Sequence, residues 1–196
     1  MTTETEAQDA LDMARLAGGG DAALNDLMTR HGERLFHYLI RQVQNEDDAA
    51  DLTQETFVRV FQNRGKFRPG AKFTTWLYTI ATNLARDRFR WQARHPQVSL
   101  EAENDATGGS LGETLTTDAS GPGEQLQRSE RSEAIRTAVA RLPEDLRTAL
   151  LLAEYEDLSH AEIAAIAGCT AKAVENRIAR AREKLRAQLV KLPEFS

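Results

Sequence analysis

The segment Ser159–Arg182, SHAEIAAIAGCTAKAVENRIARAR, decides how this chain of 196 residues is read. Ser159, followed three residues later by Glu162, is a capping-box pattern, so a short helix starts at His160. Gly168 ends it, because glycine takes a left-handed backbone at no steric cost. Thr170 then caps a second helix whose inward stripe is Val174, Ile178, Ala181, Leu185 and Leu189. Small Ala164, four residues before the glycine, and Val174, six after it, have the spacing of a helix-turn-helix. Lys172, Asn176, Ala179 and Arg180 face outward, with Glu175 and Arg177 on the flanks. Such a face suits a major groove, where Asn pairs with adenine, Arg with guanine and Glu with the cytosine amino group. Arg182 and Arg186 suit phosphates. The alternative, an ordinary α-hairpin, is disfavoured by the capping box, glycine turn and outward basic face taken together.

Upstream, the same helical period recurs. Leu24, Leu27, Met28, His31, Leu35, Tyr38 and Leu39 form one stripe, and Ala49, Leu52, Thr53, Thr56, Phe57, Val60 and Phe61 form another. The second begins at Asn45-Glu46-Asp47-Asp48, an N-cap candidate with acids in the first turn. A basic loop from Arg64 to Lys72 follows, and Thr74 or Thr75 is the expected cap of a helix with core residues Leu77, Ile80, Ala81, Leu84 and Ala85. Pro143 starts another helix, with Glu144 and Asp145 in its first turn. No strand-like alternation occurs, so the predicted fold is all-α: two small helical domains, residues 21–95 and 129–196, behind an N-terminal extension, 1–20. Residues 96–128, rich in Gly, Ser, Thr, Asp and Glu and without apolar period, read as a flexible acidic linker.

The net charge of −5 conceals two basic blocks. Between Asn63 and His95 stand eight Lys and Arg residues against Asp87 alone. Between Ala171 and Lys191 stand seven against Glu175 and Glu183. Two basic blocks flanking an acidic spacer suggest two contacts with one polyanion; solvated helix faces are the alternative. The longest apolar run, Ala149–Ala153, is far shorter than the roughly 20 residues that span a bilayer. The polar, acidic N-terminus is not a secretory signal. One cysteine, Cys169, excludes an intrachain disulfide. The reading is a cytoplasmic protein with no metal, no cofactor and no membrane contact of its own.

The first basic block interleaves cations with aromatics: Phe67, Arg68, Lys72 and Phe73 in the loop, then Trp76, Asn83 and Arg90 seven residues apart with Arg86 beside them. Single-stranded nucleic acid calls for this mixture, with charge for the backbone and π-faces for splayed bases. Phe73 is assigned to the core instead. The helix from Glu46 to Gln62 exposes Asp51, Gln54, Glu55, Val58 and Arg59, too acidic for DNA. This face is either solvated or docked on a protein, and periodicity does not choose.

A resemblance does. Asp51–Phe61, DLTQETFVRVF, resembles the polymerase-binding signature of sigma domain two. Phe73–Asn83, FTTWLYTIATN, resembles the promoter-melting and −10 recognition segment, and Val174–Leu185, VENRIARAREKL, is similar to the −35 recognition helix of sigma domain four. Order and spacing match the extracytoplasmic-function group of bacterial sigma-70 factors. The resemblance implies a non-enzymatic initiation factor that directs RNA polymerase core to promoters, under control of an anti-sigma factor. It implies that Asp51, Gln54, Glu55, Val58 and Arg59 meet the clamp helices of the large subunit. Phe67, Arg68, Lys72, Trp76, Asn83, Arg86 and Arg90 would take the melted non-template −10 strand, with a base flipped near Asn83. Lys172, Glu175, Asn176, Arg177, Arg180 and Arg182 would read the −35 duplex. Many relatives are basic at position 175, so Glu175 departs from the pattern and no consensus is transferred.

Two rivals remain. A ligand-sensing duplex-DNA regulator explains the helix-turn-helix but not the aromatic loop or Asp51–Phe61. An enzyme would need His31, His37, Glu154, Glu156, Asp157 and His160 to converge in one pocket. His31 lies on an apolar stripe as a satisfied core histidine, and the acids are expected to cap or solvate the turn before Ser159.

Overall fold

The computed structural model describes residues 3–95 and 122–190. Within them are α1 (Thr3–Ala17), α2 (Ala22–Val43), α3 (Glu46–Gln62), a 3-10 turn at Arg64–Lys66, α4 (Phe73–Arg94), α5 (Pro122–Ala140), α6 (Glu144–Glu154), α7 (His160–Ala167) and α8 (Ala171–Leu189). The fold is all-α, as expected. Residues 96–121 of the expected linker lie outside the described residues, and α5 starts at Pro122, seven residues before the expected start of the second domain at 129.

The buried apolar residues form one cluster that runs through both halves. In α1–α4 it is built from Leu27, Leu35, Tyr38, Leu39, Phe57, Val60, Phe73, Leu77 and Ala81. In α5–α8 it is built from Val139, Leu142, Leu146, Leu151, Leu152, Ile163, Ile166, Val174 and Ile178. Met28, expected on the α2 stripe, is 40% exposed instead, at the edge of that stripe.

The helix ends follow their local chemistry. Asn45 accepts from the Asp48 N–H at 2.8 Å and starts α3, just after Gln44 closes α2 in a left-handed conformation. The capping box at α7 is complete, and Gly168 (φ 64) stops that helix. Thr170 caps α8 by accepting from Ala173 N–H. The expected Thr74 or Thr75 cap is not used. Helix α4 begins at Phe73 with Lys72 as its N-cap residue and no side-chain cap, because Thr74 is buried and Thr75 already lies inside the helix.

The expected N-terminal extension contains a helix, α1, over Thr3–Ala17. Helix α1 packs Met13 and Leu16 into the core and buries two carboxylates, Asp9 and Asp12. Asp9 meets His31 Nε2 at 2.8 Å and also Arg30, and Asp12 takes Arg30 Nη2 at 2.8 Å. Burial pushes the Asp12 carboxyl up, but hydrogen bonds from Arg30 and Gln8 outweigh it and hold the group below its ordinary range. His31 is thus a partnered core histidine, as its place on the stripe required.

The two halves pack directly on each other, α7 against α4 and α6 against α2. Truncating the cap of α7 removes one acceptor from its orphan N–H groups. Ser159→Ala is expected to lower unfolding free energy by about 1 kcal/mol, read from urea midpoints, while Ser159→Asp retains most of it.

Candidate nucleic-acid and polymerase interface

On α8, the apolar side sinks Val174, Ile178 and Ala181 into the core, which turns Lys172, Glu175, Asn176, Arg180 and Arg182 to solvent. Lys172 Nζ lies 2.8 Å from Glu175 Oε2 and holds that carboxyl below its usual range. Arg182 is paired with Glu154 of α6. Glu175, Ala179 and Arg182 border an open cleft of about 490 Å³ with Ser159 and His160 of α7. Arg177 is the exception on this helix. It is half-buried, with Nη1 on Cys169 Sγ at 3.4 Å and Nε 3.4 Å from Asp145. Its side chain ties the turn and α6 to α8 instead of standing outward.

The residues expected to receive a single strand lie along the loop before α4 and on α4 itself. Phe67 and Trp76 stack as a tilted pair with centroids 5.3 Å apart, both half-buried against the core, and Phe73 lies beneath them fully buried. Phe73 is therefore core, as assigned. Arg68, Asn83 and Arg90 are exposed, Arg90 with Asp87 at 3.4 Å. Two further cations of this set are paired with acids of other helices. Lys72 Nζ lies 2.8 Å from Glu6 of α1 and 3.0 Å from Glu162 of α7, and Arg86 Nε lies 2.9 Å from Glu144 of α6.

On α3, Asp51, Gln54, Val58 and Arg59 are exposed and Glu55 is half-buried. Spaced by three and four residues, they share one face. Arg59 Nε binds Glu55 Oε1 at 2.8 Å, leaving Val58, 45% exposed, as an apolar spot inside a charged ring. That composition suits a protein surface better than a phosphate backbone.

The acids before Ser159 do not all solvate the turn. Glu156 is 4% exposed, accepts a short hydrogen bond from Tyr78 Oη of α4, and lies 3.3 Å from Arg34 Nε of α2. Arg147 of α6 is also buried, giving Nε–H to Gln42 Oε1 at 3.3 Å and Nη1–H to the Ala140 carbonyl at 2.8 Å. Neither burial is legible in spacing, since Glu156 stands between Glu154 and Asp157 with nothing local to set it apart, and Arg147 precedes an apolar run without a partner nearby in the sequence. Among the described residues no three of His, Cys, Asp and Glu converge to hold a metal ion, and no helix is long and apolar enough to cross a membrane.

An all-helical protein with a basic aromatic loop in one half and a helix-turn-helix in the other belongs to a narrow class of DNA-binding proteins. Residues 27–95 match Sigma-70 region 2 and residues 132–185 match Sigma-70, region 4. The RNA polymerase sigma-H factor of Pseudomonas aeruginosa is 33% identical over 181 residues, covering 92% of this chain and 93% of that protein. The ECF RNA polymerase sigma-E factor of Escherichia coli strain K12 is 35% identical over 181 residues, covering 90% and 92%. Among solved structures, CnrH in complex with the cytosolic domain of CnrY superposes with a TM-score of 0.68 at 28% identity, covering 94% of this chain and 98% of that one. The chain belongs to the sigma-70 family of RNA polymerase sigma factors, in its extracytoplasmic-function group.

Burial raises the Glu156 carboxyl above its ordinary value of 4.5, although Tyr78, Arg34 and Arg41 pull the other way. The folded state therefore binds this proton more tightly than the unfolded chain, so its contribution to stability falls as pH rises above 4.5. In urea titrations from pH 4.5 to 7, Glu156→Gln is expected to remove that falling component relative to the parent chain.

Proposed function

We propose that this chain is a cytoplasmic, non-enzymatic initiation factor that binds RNA polymerase core and carries it to promoters with −10 and −35 elements. The observation that carries the proposal is the order of the two matches, region 2 before region 4, over helices whose outward faces have the matching chemistry. Residues 21–95 form the polymerase- and −10-binding half, and the residues after about 129 form the −35-binding half. Asp51, Gln54, Glu55, Val58 and Arg59 dock on the clamp helices of the large subunit, with Val58 as the apolar anchor.

Phe67, Arg68, Lys72, Trp76, Asn83, Arg86 and Arg90 receive the melted non-template strand. Arg68 and Arg90 meet phosphates, Phe67 and Trp76 give stacking faces, and Asn83 addresses a base edge. In the −35 duplex, Asn176, Arg180 and Glu175 read base edges, and Lys172 and Arg182 lie at phosphates. Arg177, being held by Cys169 and Asp145, acts by setting the pitch of α8. An anti-sigma partner is proposed by extension from CnrH, whose structure contains the cytosolic domain of CnrY.

In transcription from a random-promoter library with purified core, transcripts with shared −10 and −35 sequences are expected only when the protein is added. Asn176→Ala and Arg180→Ala should each lower output about five- to 150-fold, the range of a lost base contact. Glu175→Lys should shift the selected −35 sequence, not only its strength. Arg59→Glu should abolish co-purification with core while leaving the helical content unchanged. Unaided duplex binding with no effect on core transcription would contradict the proposal.

A further inference from the structure

His160 opens α7 and belongs to no metal cluster, since among the described residues no three of His, Cys, Asp and Glu converge to hold an ion. It stands instead on the open cleft of about 490 Å³ between α6, α7 and α8, which it shares with Glu154, Glu175 and Arg182. Glu175 and Arg182 are the residues given above to a base edge and a phosphate of the −35 duplex. Both come from α8, so a duplex seated on them crosses the mouth of this cleft and meets His160 on the α7 wall.

The charges around His160 cancel in pairs. Lys172 Nζ lies 2.8 Å from Glu175 Oε2, and Arg182 Nε–H donates to Glu154 Oε1 at 3.2 Å. Glu162, two residues along α7, turns to Lys72 of α4. In the turn before α7, Asp157 lies 3.9 Å from Arg34 of α2, and Glu156 is buried against Tyr78 and the same arginine. His160 is exposed, and among the described residues no carboxylate lies within ion-pair distance of it. The Glu175 carboxyl is held low chiefly by Lys172, and His160 acts on it in the same sense across the cleft.

The cleft is therefore close to neutral when the imidazole is neutral and positive when it is protonated. A neutral imidazole offers one donor and one acceptor, whereas imidazolium offers two donors. A phosphodiester oxygen only accepts, so it favours the charged ring. We propose that His160 is a further −35 contact that meets a backbone phosphate as imidazolium, so that seating the −35 duplex takes up a proton. The proposal rests on the −35 role given to α8 above. Such coupling is reciprocal: a phosphate that tightens proton binding about tenfold is itself bound about tenfold tighter by the protonated ring. Histidine changes charge between about pH 5 and 8, while lysine and arginine stay charged. The hold on the −35 duplex is thus strongest at the acid end of that range and weakens as pH rises through it.

The test loads polymerase core with the full chain, with His160→Gln or with His160→Lys, and titrates a labelled promoter duplex from the library selection. Affinities are compared with the parent at the same pH, which cancels the titration of core itself. His160→Gln is expected to bind about tenfold weaker than the parent at the acid end and equally at the alkaline end. His160→Lys, charged throughout, should bind tighter than both at the alkaline end. At the acid end the log–log salt slope of the parent should exceed that of His160→Gln by about 0.9, the share of one phosphate in duplex DNA. On a template that ends downstream of the −35 element these differences should vanish. A ratio of parent to His160→Gln that is the same at every pH would overturn the proposal. So would a pH-dependent ratio that persists on the shortened template, or His160→Lys binding no tighter than His160→Gln at the alkaline end. Failure of the underlying reading has a separate signature, and takes the proposal with it: the loaded parent polymerase would bind the promoter no better than promoter-free duplex at any pH.

Discussion

The hydrogen bond from Tyr78 to the buried Glu156 carboxylate joins the two halves of this protein, and the surrounding packing depends on it. A carboxylate at 4% exposure is tolerated only where every partner is in place. Here Tyr78 comes from α4 and Arg34 from α2, so Glu156 specifies one docking of the C-terminal half. Tyr78 is fixed in turn by Tyr38, edge to face at 5.1 Å, and Tyr38 shares its hydroxyl with Thr82 at 2.8 Å and Gln42 at 3.1 Å. Gln42 then reaches Thr148 of α6. The result is a polar chain from α4 through α2 to α6 that runs beside an apolar core common to both halves.

The two proposed nucleic-acid surfaces differ in how their cations are paired. The proposed −35 face on α8 keeps Asn176 and Arg180 exposed, pairs Lys172 with its own Glu175, and shares Arg182 with Glu154 of α6. The proposed −10 surface likewise shares Lys72 and Arg86 with acids of α1, α6 and α7, while Arg90 pairs with Asp87 of its own helix. The acidic overall charge, which at first speaks against DNA, is thus spent partly on internal pairing.

Much of this was legible in the sequence, and for stated physical reasons. Capping box, glycine turn and the Val174/Ile178/Ala181 stripe are local signals, and α7 and α8 formed where they required. The face of α3 followed from the same periodicity. Helix α1 was not legible, because Asp9 and Asp12 occupy its buried side and interrupt the apolar stripe. Their partners, Arg30 and His31, are about twenty residues away, and no local pattern announces such a pairing. Arg177 shows the same limit in reverse. Its position on the helix wheel is a flank, and only the tertiary placement of Asp145 and Cys169 turns it inward. Glu156, Arg147 and the occupied Lys72 and Arg86 all depend on the docking of one half on the other, which no periodicity encodes.

The most direct test of this account is the distance between the halves in solution, with and without the Tyr78 hydroxyl. Donor and acceptor dyes at Glu33→Cys on α2 and Ala165→Cys on α7, in a Cys169→Ser chain, occupy exposed positions on the two halves. The account predicts one short distance for the parent chain and a longer, broader one for Tyr78→Phe, in which the buried Glu156 loses a partner. The same short distance in both chains would contradict it.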